Sequence, residues 1–146
     1  MSTITNKRIV QPYLSFNGVC EQALEFYRKA VGAEVTKIVR YKDSPEPAMC
    51  PPGAGDKILH ASFRIGETTV LASDGECGGK PAFQGISLSL TTPDEADAER
   101  LFTTLADGGQ VMLPLMKTFF SPRFGMLTDC FGVAWMIQAA PAGKPA

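Results

Sequence analysis

Apolar residues along this chain follow two rhythms, that of a strand and that of a helix, and the order of the two repeats. Residues 10–16 (VQPYLSF) read as a strand ending at the turn pair Asn17-Gly18. Cys20, Ala23, Leu24, Tyr27 and Val31 then recur at helical spacing, and Gly32 supplies the stop. Residues 34–41 are rich in strand formers (Val35, Thr36, Ile38, Val39, Tyr41) and predict a second strand. Residues 58–65 alternate, which places Leu59, Ala61, Phe63 and Ile65 on one face and Ile58, His60, Ser62 and Arg64 on the other. Gly66-Glu67 turns the chain into a partner strand over 68–73.

Residues 74–81 (DGECGGKP) read as a linker, after which the same order begins again. Residues 83–91 alternate Ile86, Leu88 and Leu90 against Ser87 and Ser89. Thr92-Pro93-Asp94-Glu95 predicts a capping box with proline at the first helical position. Ala98, Leu101, Phe102 and Leu105 form the apolar stripe, and Gly108-Gly109 ends the helix. Strands follow over 110–116, 124–129 and 133–139. The chain is therefore βαβββ written twice, repeat one over 9–75 and repeat two over 83–140, within a single domain spanning 1–146. Each copy is too small to bury its own sheet face, so the two must share a core. The predicted fold is α+β, with curved mixed sheets around a hollow and the helices outside. Leu14, Phe16, Leu88 and Leu90 would meet the helices, while Tyr13, Ser15, Ser87 and Ser89 would point into the hollow.

Composition narrows the function classes. The chain has 146 residues, 45% of them hydrophobic and 20% charged, which are globular values. Fourteen basic residues against fifteen acidic ones leave a net charge of −1 and no basic stripe, which argues against nucleic acid as a partner. No apolar run reaches the roughly 18 residues of a membrane span, and the N-terminal residues are polar, so the chain reads as cytoplasmic. Cys20, Cys50, Cys77 and Cys130 include no CxxC pair, which fits scattered thiols in a reducing compartment. Cys20 stands at a helix start, where the helix dipole can stabilise a thiolate. Residues 44–56 carry Pro45, Pro47, Pro51 and Pro52 and read as a cover for the hollow or for a partner.

Pro12-Tyr13-Leu14-Ser15-Phe16-Asn17-Gly18 and Ala23-Leu24-Glu25-Phe26-Tyr27 stand in the first repeat. The second carries Phe119-Phe120, Phe124-Gly125 and Thr128-Asp129-Cys130-Phe131-Gly132-Val133-Ala134-Trp135-Met136-Ile137. With the duplicated βαβββ order, these segments resemble the vicinal oxygen chelate superfamily of glyoxalases, extradiol dioxygenases and antibiotic-resistance proteins, and within it the PhnB-like branch. The resemblance implies a divalent metal held by His, Glu or Gln from four strand positions. Carried onto this chain, those positions fall near Pro12, Ala72 or Ser73, Gly85, and Met136. None is a ligand for such a cation, and the neighbours Tyr13, Ile86 and Trp135 do not chelate either. The expectation is therefore no metal and no other cofactor. The resemblance also implies a homodimer in which units from two chains complete each cup, and Phe119, Phe120 and Phe124 form an aromatic cluster suited to that contact. Sequences resembling this branch carry a demethylubiquinone methyltransferase name, but no strand, glycine-rich turn and helix here would seat a nucleoside cofactor.

His60, the single histidine, is the candidate catalytic residue, as a general base or a hydrogen-bonding group on the polar strand face. Asp129 reads as a turn residue bonding its own backbone. Residues 75–80 are one residue short of a phosphate loop and Gly53-Ala54-Gly55 follows prolines rather than a strand, so both read as loops. The predicted ligand pocket is Tyr13, Ser15, His60, Ser62, Asp74, Ser87, Ser89, Phe124, Met136 and Gln138, a mostly apolar wall with a few hydroxyl and amide groups. Three readings follow. The first is a metal-free binder of an unknown small molecule. The second is an enzyme using His60 with Asp74 or a cysteine, on a lactone, phosphonate or other small substrate. The third is a structural or regulatory dimer.

Overall fold

Two helices, α1 (Cys20–Val31) and α2 (Glu95–Ala106), form where the apolar periodicity places them. The computed structural model describes residues 8–45, 52–75, 77 and 80–141. Pro47, Cys50 and Pro51 of the predicted cover, and Glu76, Gly78 and Gly79 of the linker, lie outside the described residues. Helix α1 buries Cys20, Ala23, Leu24, Tyr27 and Ala30, and Gly32 ends it at φ 68°, a left-handed conformation that costs glycine no strain. Helix α2 begins later than the predicted capping box. Asp94, not Thr92, is the cap, accepting from the Ala96 amide at 3.0 Å. Thr92 stays extended because it pairs with Ala139 in a strand ladder, and its hydroxyl donates to Asp97 at 2.7 Å. Pro93 thus precedes the helix instead of opening it.

The first repeat contributes β1 (Tyr13–Ser15), β2 (Glu34–Arg40), β3 (Ile58–Ile65) and β4 (Thr68–Ser73), in the spatial order β1-β4-β3-β2. The second contributes β5 (Ser87–Thr92), β6 (Gln110–Met116), β7 (Phe124–Thr128) and β8 (Ala134–Ala139), in the matching order β5-β8-β7-β6. In each sheet the first strand runs parallel to the last and the other pairs are antiparallel. The architecture is thus the expected α+β duplication of βαβββ, with two mixed sheets. Strand β1 is shorter than predicted. It lies at a sheet edge, where Pro12 has no amide to offer and joins only through its carbonyl, accepting from Leu71 at 2.9 Å. Pro114 is tolerated in β6 because that strand is also an edge. Among the described residues no helix is long and apolar enough to cross a membrane.

One strand departs from strict alternation. Val39 faces His60 while Arg40 faces Ile58, so Leu59 is an extra residue in β3. The shift turns Ile58 into the core, fully buried, away from the face it was predicted to share with His60.

The interior joins the repeats through Tyr27. Its ring stacks on Phe63 of β3 at 5.8 Å and meets Trp135 of β8 at 5.7 Å. Its hydroxyl donates to Asp129 at 2.6 Å. Helices α1 and α2 pack together, and the Thr104 hydroxyl donates to the Ala30 carbonyl at 2.8 Å. Leu14, Phe16, Ala61, Phe63 and Ala72 of the first repeat share one core with Leu127, Trp135 and Ile137 of the second. The helix-covered faces of both sheets therefore share one core, and the other face of each sheet is open.

Candidate functional site

The outward face of the first sheet is set by register. Tyr13, Leu71, Ser62 and Lys37 stand side by side across β1, β4, β3 and β2, because directly paired residues project to the same side. Ser15 and Ser73 pair in the adjacent row, and His60 pairs with Val39 on the same face. Tyr13 is 51% exposed, and its ring lies 6.1 Å from the half-buried imidazole of His60. Among the described residues neither His60 nitrogen takes a hydrogen bond. Ser62 and Thr36 share a hydroxyl contact of 2.8 Å, and Ser15 donates to Asn17 at 3.1 Å. Thr36 is an extra residue in β2, between the pairs Val35–Phe63 and Lys37–Ser62, which brings it beside Ser62. Strict alternation gives no signal for Thr36, Lys37 and Leu71 as members of this face.

The outward face of the second sheet holds Ser87, Ser89, Met136, Gln138 and Phe124, with Met126 opposite Met136. Gln138 donates to the Thr91 hydroxyl at 3.2 Å. Phe124 begins an aromatic ladder. Phe120 lies 5.0 Å from it, and Phe119, fully exposed, lies 5.1 Å from Phe120. The fold thus brings Tyr13, Ser15, His60 and Ser62 together on one sheet. It brings Ser87, Ser89, Phe124, Met136 and Gln138 together on the other, so the two groups stand on separate sheets.

Asp74 joins neither group and stands instead beside the start of α1. It is 1% exposed. One carboxylate oxygen accepts from the Gly18 and Cys20 amides at 2.8 Å each, and the other from the Ile58 amide at 2.7 Å. It is a buried cap for the start of α1. Cys20 also differs from its sequence reading. Burial, with the Asp74 charge beside it, pushes its thiol up to about 12, so the helix start does not make a thiolate there. Iodoacetamide on the native protein is expected to leave Cys20 unlabelled while labelling the exposed Cys130, read by peptide mapping. Asp129 bonds its own turn as predicted, at the Phe131 and Val133 amides, and also accepts from two buried side chains.

The positions that the resemblance implies as metal ligands carry no imidazole or carboxylate side chain. Ala72 is fully buried in the core, and the Ser73 hydroxyl accepts from Gly75. Gly85 sits before β5 at φ 80°, and Met136 faces outward from the other sheet. Among the described residues no three His, Cys, Asp or Glu side chains gather as a metal site. Grooves among the described residues take up parts of the predicted pocket. One of about 690 Å³ runs along α1 beside Glu21, Leu24, Lys57 and Asp74. One of about 890 Å³ separates the β3–β4 hairpin from the edge of β5, where Ser87 and Ser89 line it. A smaller one of about 210 Å³ brings Tyr13 and Ser15 beside Phe83 and Leu88. None of these is lined by His60.

Comparison with known proteins agrees with this geometry. The family described as 3-demethylubiquinone-9 3-methyltransferase matches residues 8–138. Protein YjdN of Escherichia coli (strain K12) is 34% identical over 137 residues, covering 88% of this chain and 93% of that protein. Protein PA1353 from Pseudomonas aeruginosa is similar at a TM-score of 0.81 with 40% identity, covering 92% of this chain and 98% of that one. A Bacillus cereus PhnB protein, described as a putative 3-demethylubiquinone-9 3-methyltransferase, is similar at a TM-score of 0.76 with 28% identity, covering 91% and 100%. A glyoxylase/bleomycin resistance protein/dioxygenase domain from Frankia sp. EAN1pec shares the fold, with a TM-score of 0.64 at 17% identity over 94% of this chain and 95% of that one. The duplicated βαβββ architecture and these matches together establish that the chain belongs to the PhnB-like family described as 3-demethylubiquinone-9 3-methyltransferase, with the fold of the glyoxylase/bleomycin resistance/dioxygenase domain.

Proposed function

We propose that the chain is a metal-independent small-molecule-binding member of this family, acting in the cytoplasm as a homodimer. The observation that carries the reading is His60, half-buried beside Tyr13 on an open sheet face with both ring nitrogens unbonded among the described residues. An apolar wall with a few unengaged polar groups is how ligand sites are built. Binding is favoured over catalysis because the carboxylate that an acid–base reading pairs with His60 is engaged. Asp74 is fully committed to three backbone amides, and Cys20 is a buried thiol. Methyl transfer is not part of the reading, since neither strand-to-helix junction, at Asn17-Gly18 or Pro93-Asp94, has the glycine-rich turn of a nucleoside cofactor site.

The dimer follows from the outward faces. Each presents half of a lining, and a second copy would set the polar face of one chain against the Met136, Gln138 and Phe124 face of the other. Light scattering on the purified protein is expected to give twice 15.7 kDa, and a mass of 15.7 kDa would remove the dimer. A ligand-observed NMR fragment screen on chelator-treated protein tests the binding. Hits are expected without added metal, and His60→Ala should lose them while keeping its circular dichroism spectrum. Hits that appear only with added zinc, or that bind His60→Ala unchanged, would overturn the reading.

A further inference from the structure

The two outward faces differ in charge. On the second sheet the register places Ser87, Ser89, Thr91, Ala134, Met136, Gln138, Phe124, Met126 and Thr128 on the open side, and none carries a charge. On the first sheet the equivalent face carries Lys37, an exposed ammonium that forms no ion pair among the described residues. The other charged strand residues of that face, Arg64 and Glu34, are cross-strand partners paired at 2.5 Å. The positive charge is therefore specific to one half of the duplication, and it stands opposite an aromatic end.

We propose that the small molecule taken on this face is an organic monoanion with a flat apolar body, of the aryl carboxylate kind. The inference rests on the binding reading above and adds the ligand's chemistry. Adjacent strands lie about 4.8 Å apart, so the row from Tyr13 to Lys37 spans roughly 14 Å across four strands. Tyr13 stands at one end of the row and Leu71 supplies an apolar floor between it and Ser62, while His60, two residues before Ser62 on β3, brings its ring to 6.1 Å from that of Tyr13. The hydroxyls of Ser62 and Thr36 stand at the far end beside Lys37. A ring over Leu71 sets its carboxylate toward the hydroxyls and the ammonium, where a charged acceptor makes the stronger hydrogen bond. A phosphate-type dianion fits less well. The amides at and just before the start of α1 that would bind it, those of Cys20 and Gly18, are already taken by Asp74, and one lysine balances one charge.

The test titrates 2-naphthoate and its neutral isostere 2-naphthamide into chelator-treated, isotope-labelled protein and follows backbone amide shifts. The expected result is that naphthoate moves Tyr13, Ser62 and Leu71, with naphthamide several-fold weaker. Lys37→Met, which keeps the apolar stem, should weaken naphthoate by roughly five-fold, and Lys37→Arg should restore it. Equal affinity for the amide, or an unchanged Lys37→Met, would overturn the anion while leaving the binding reading in place. Shifts confined to other surfaces, or none with either probe, would also overturn it. The fragment screen with His60→Ala decides the underlying reading separately.

Discussion

Asp129→Ala is expected to cost about 4 kcal/mol of stability, a large part of what holds a domain of this size together. The carboxylate is 3% exposed and serves four donors. One oxygen accepts from the Phe131 amide at 2.8 Å and the Val133 amide at 3.1 Å. The other accepts from the Tyr27 hydroxyl at 2.6 Å and the Trp135 indole at 2.9 Å. Tyr27 belongs to the first repeat and Asp129 to the second, so this one group ties the halves together. Burial first, and then the Asp129 charge, hold the Tyr27 phenol far above its ordinary range, so it stays a donor. Alanine leaves all four donors buried without an acceptor. Asn keeps an acceptor for the two amides but turns an NH₂ toward two donors, so Asp129→Asn should lose about 2 kcal/mol. Urea denaturation checks both values. A melting temperature of Asp129→Ala within about 2 °C of the native protein would refute the assignment.

Asp74→Ala should cost about 3 kcal/mol by the same physics, with a different consequence. Its three amide donors come from the β1–α1 turn and from the start of β3, so the loss loosens how α1 sits on the first sheet. The negative charge at the start of α1 is lost as well, with its favourable interaction with the helix dipole. Because Asp74 spends its carboxylate on capping α1, the folded Asp74→Ala protein should keep its fragment hits at low temperature. Lost hits in a protein with native circular dichroism and only a small fall in stability would return Asp74 to the site.

The element order was legible in the sequence because each element carries its own local signal. The helical stripe from Cys20 to Val31, the Gly32 stop and the alternation of Leu88 and Leu90 with Ser87 and Ser89 need no tertiary information. The errors lie where a distant partner decides. Thr92 reads as a cap until its pairing with Ala139 keeps it in a strand. Ile58 reads as a neighbour of His60 until the extra residue at Leu59 turns it into the core, with its amide held by Asp74. The polar face with Tyr13, Ser15, His60 and Ser62 was legible from alternation, because β1 and most of β3 keep their period. How the two repeats are joined was not legible. It depends on Tyr27 packing between Phe63 and Trp135, a contact between repeats that no local pattern announces.

The most direct test of the account is to map where a screened ligand binds on chelator-treated protein, by backbone amide shifts. The account predicts that shifts concentrate on Tyr13, Ser15, His60, Ser62 and Leu71 of the first sheet and vanish in His60→Ala. Shifts centred on the groove beside α1, at Glu21, Leu24 and Lys57, and preserved in His60→Ala would contradict it.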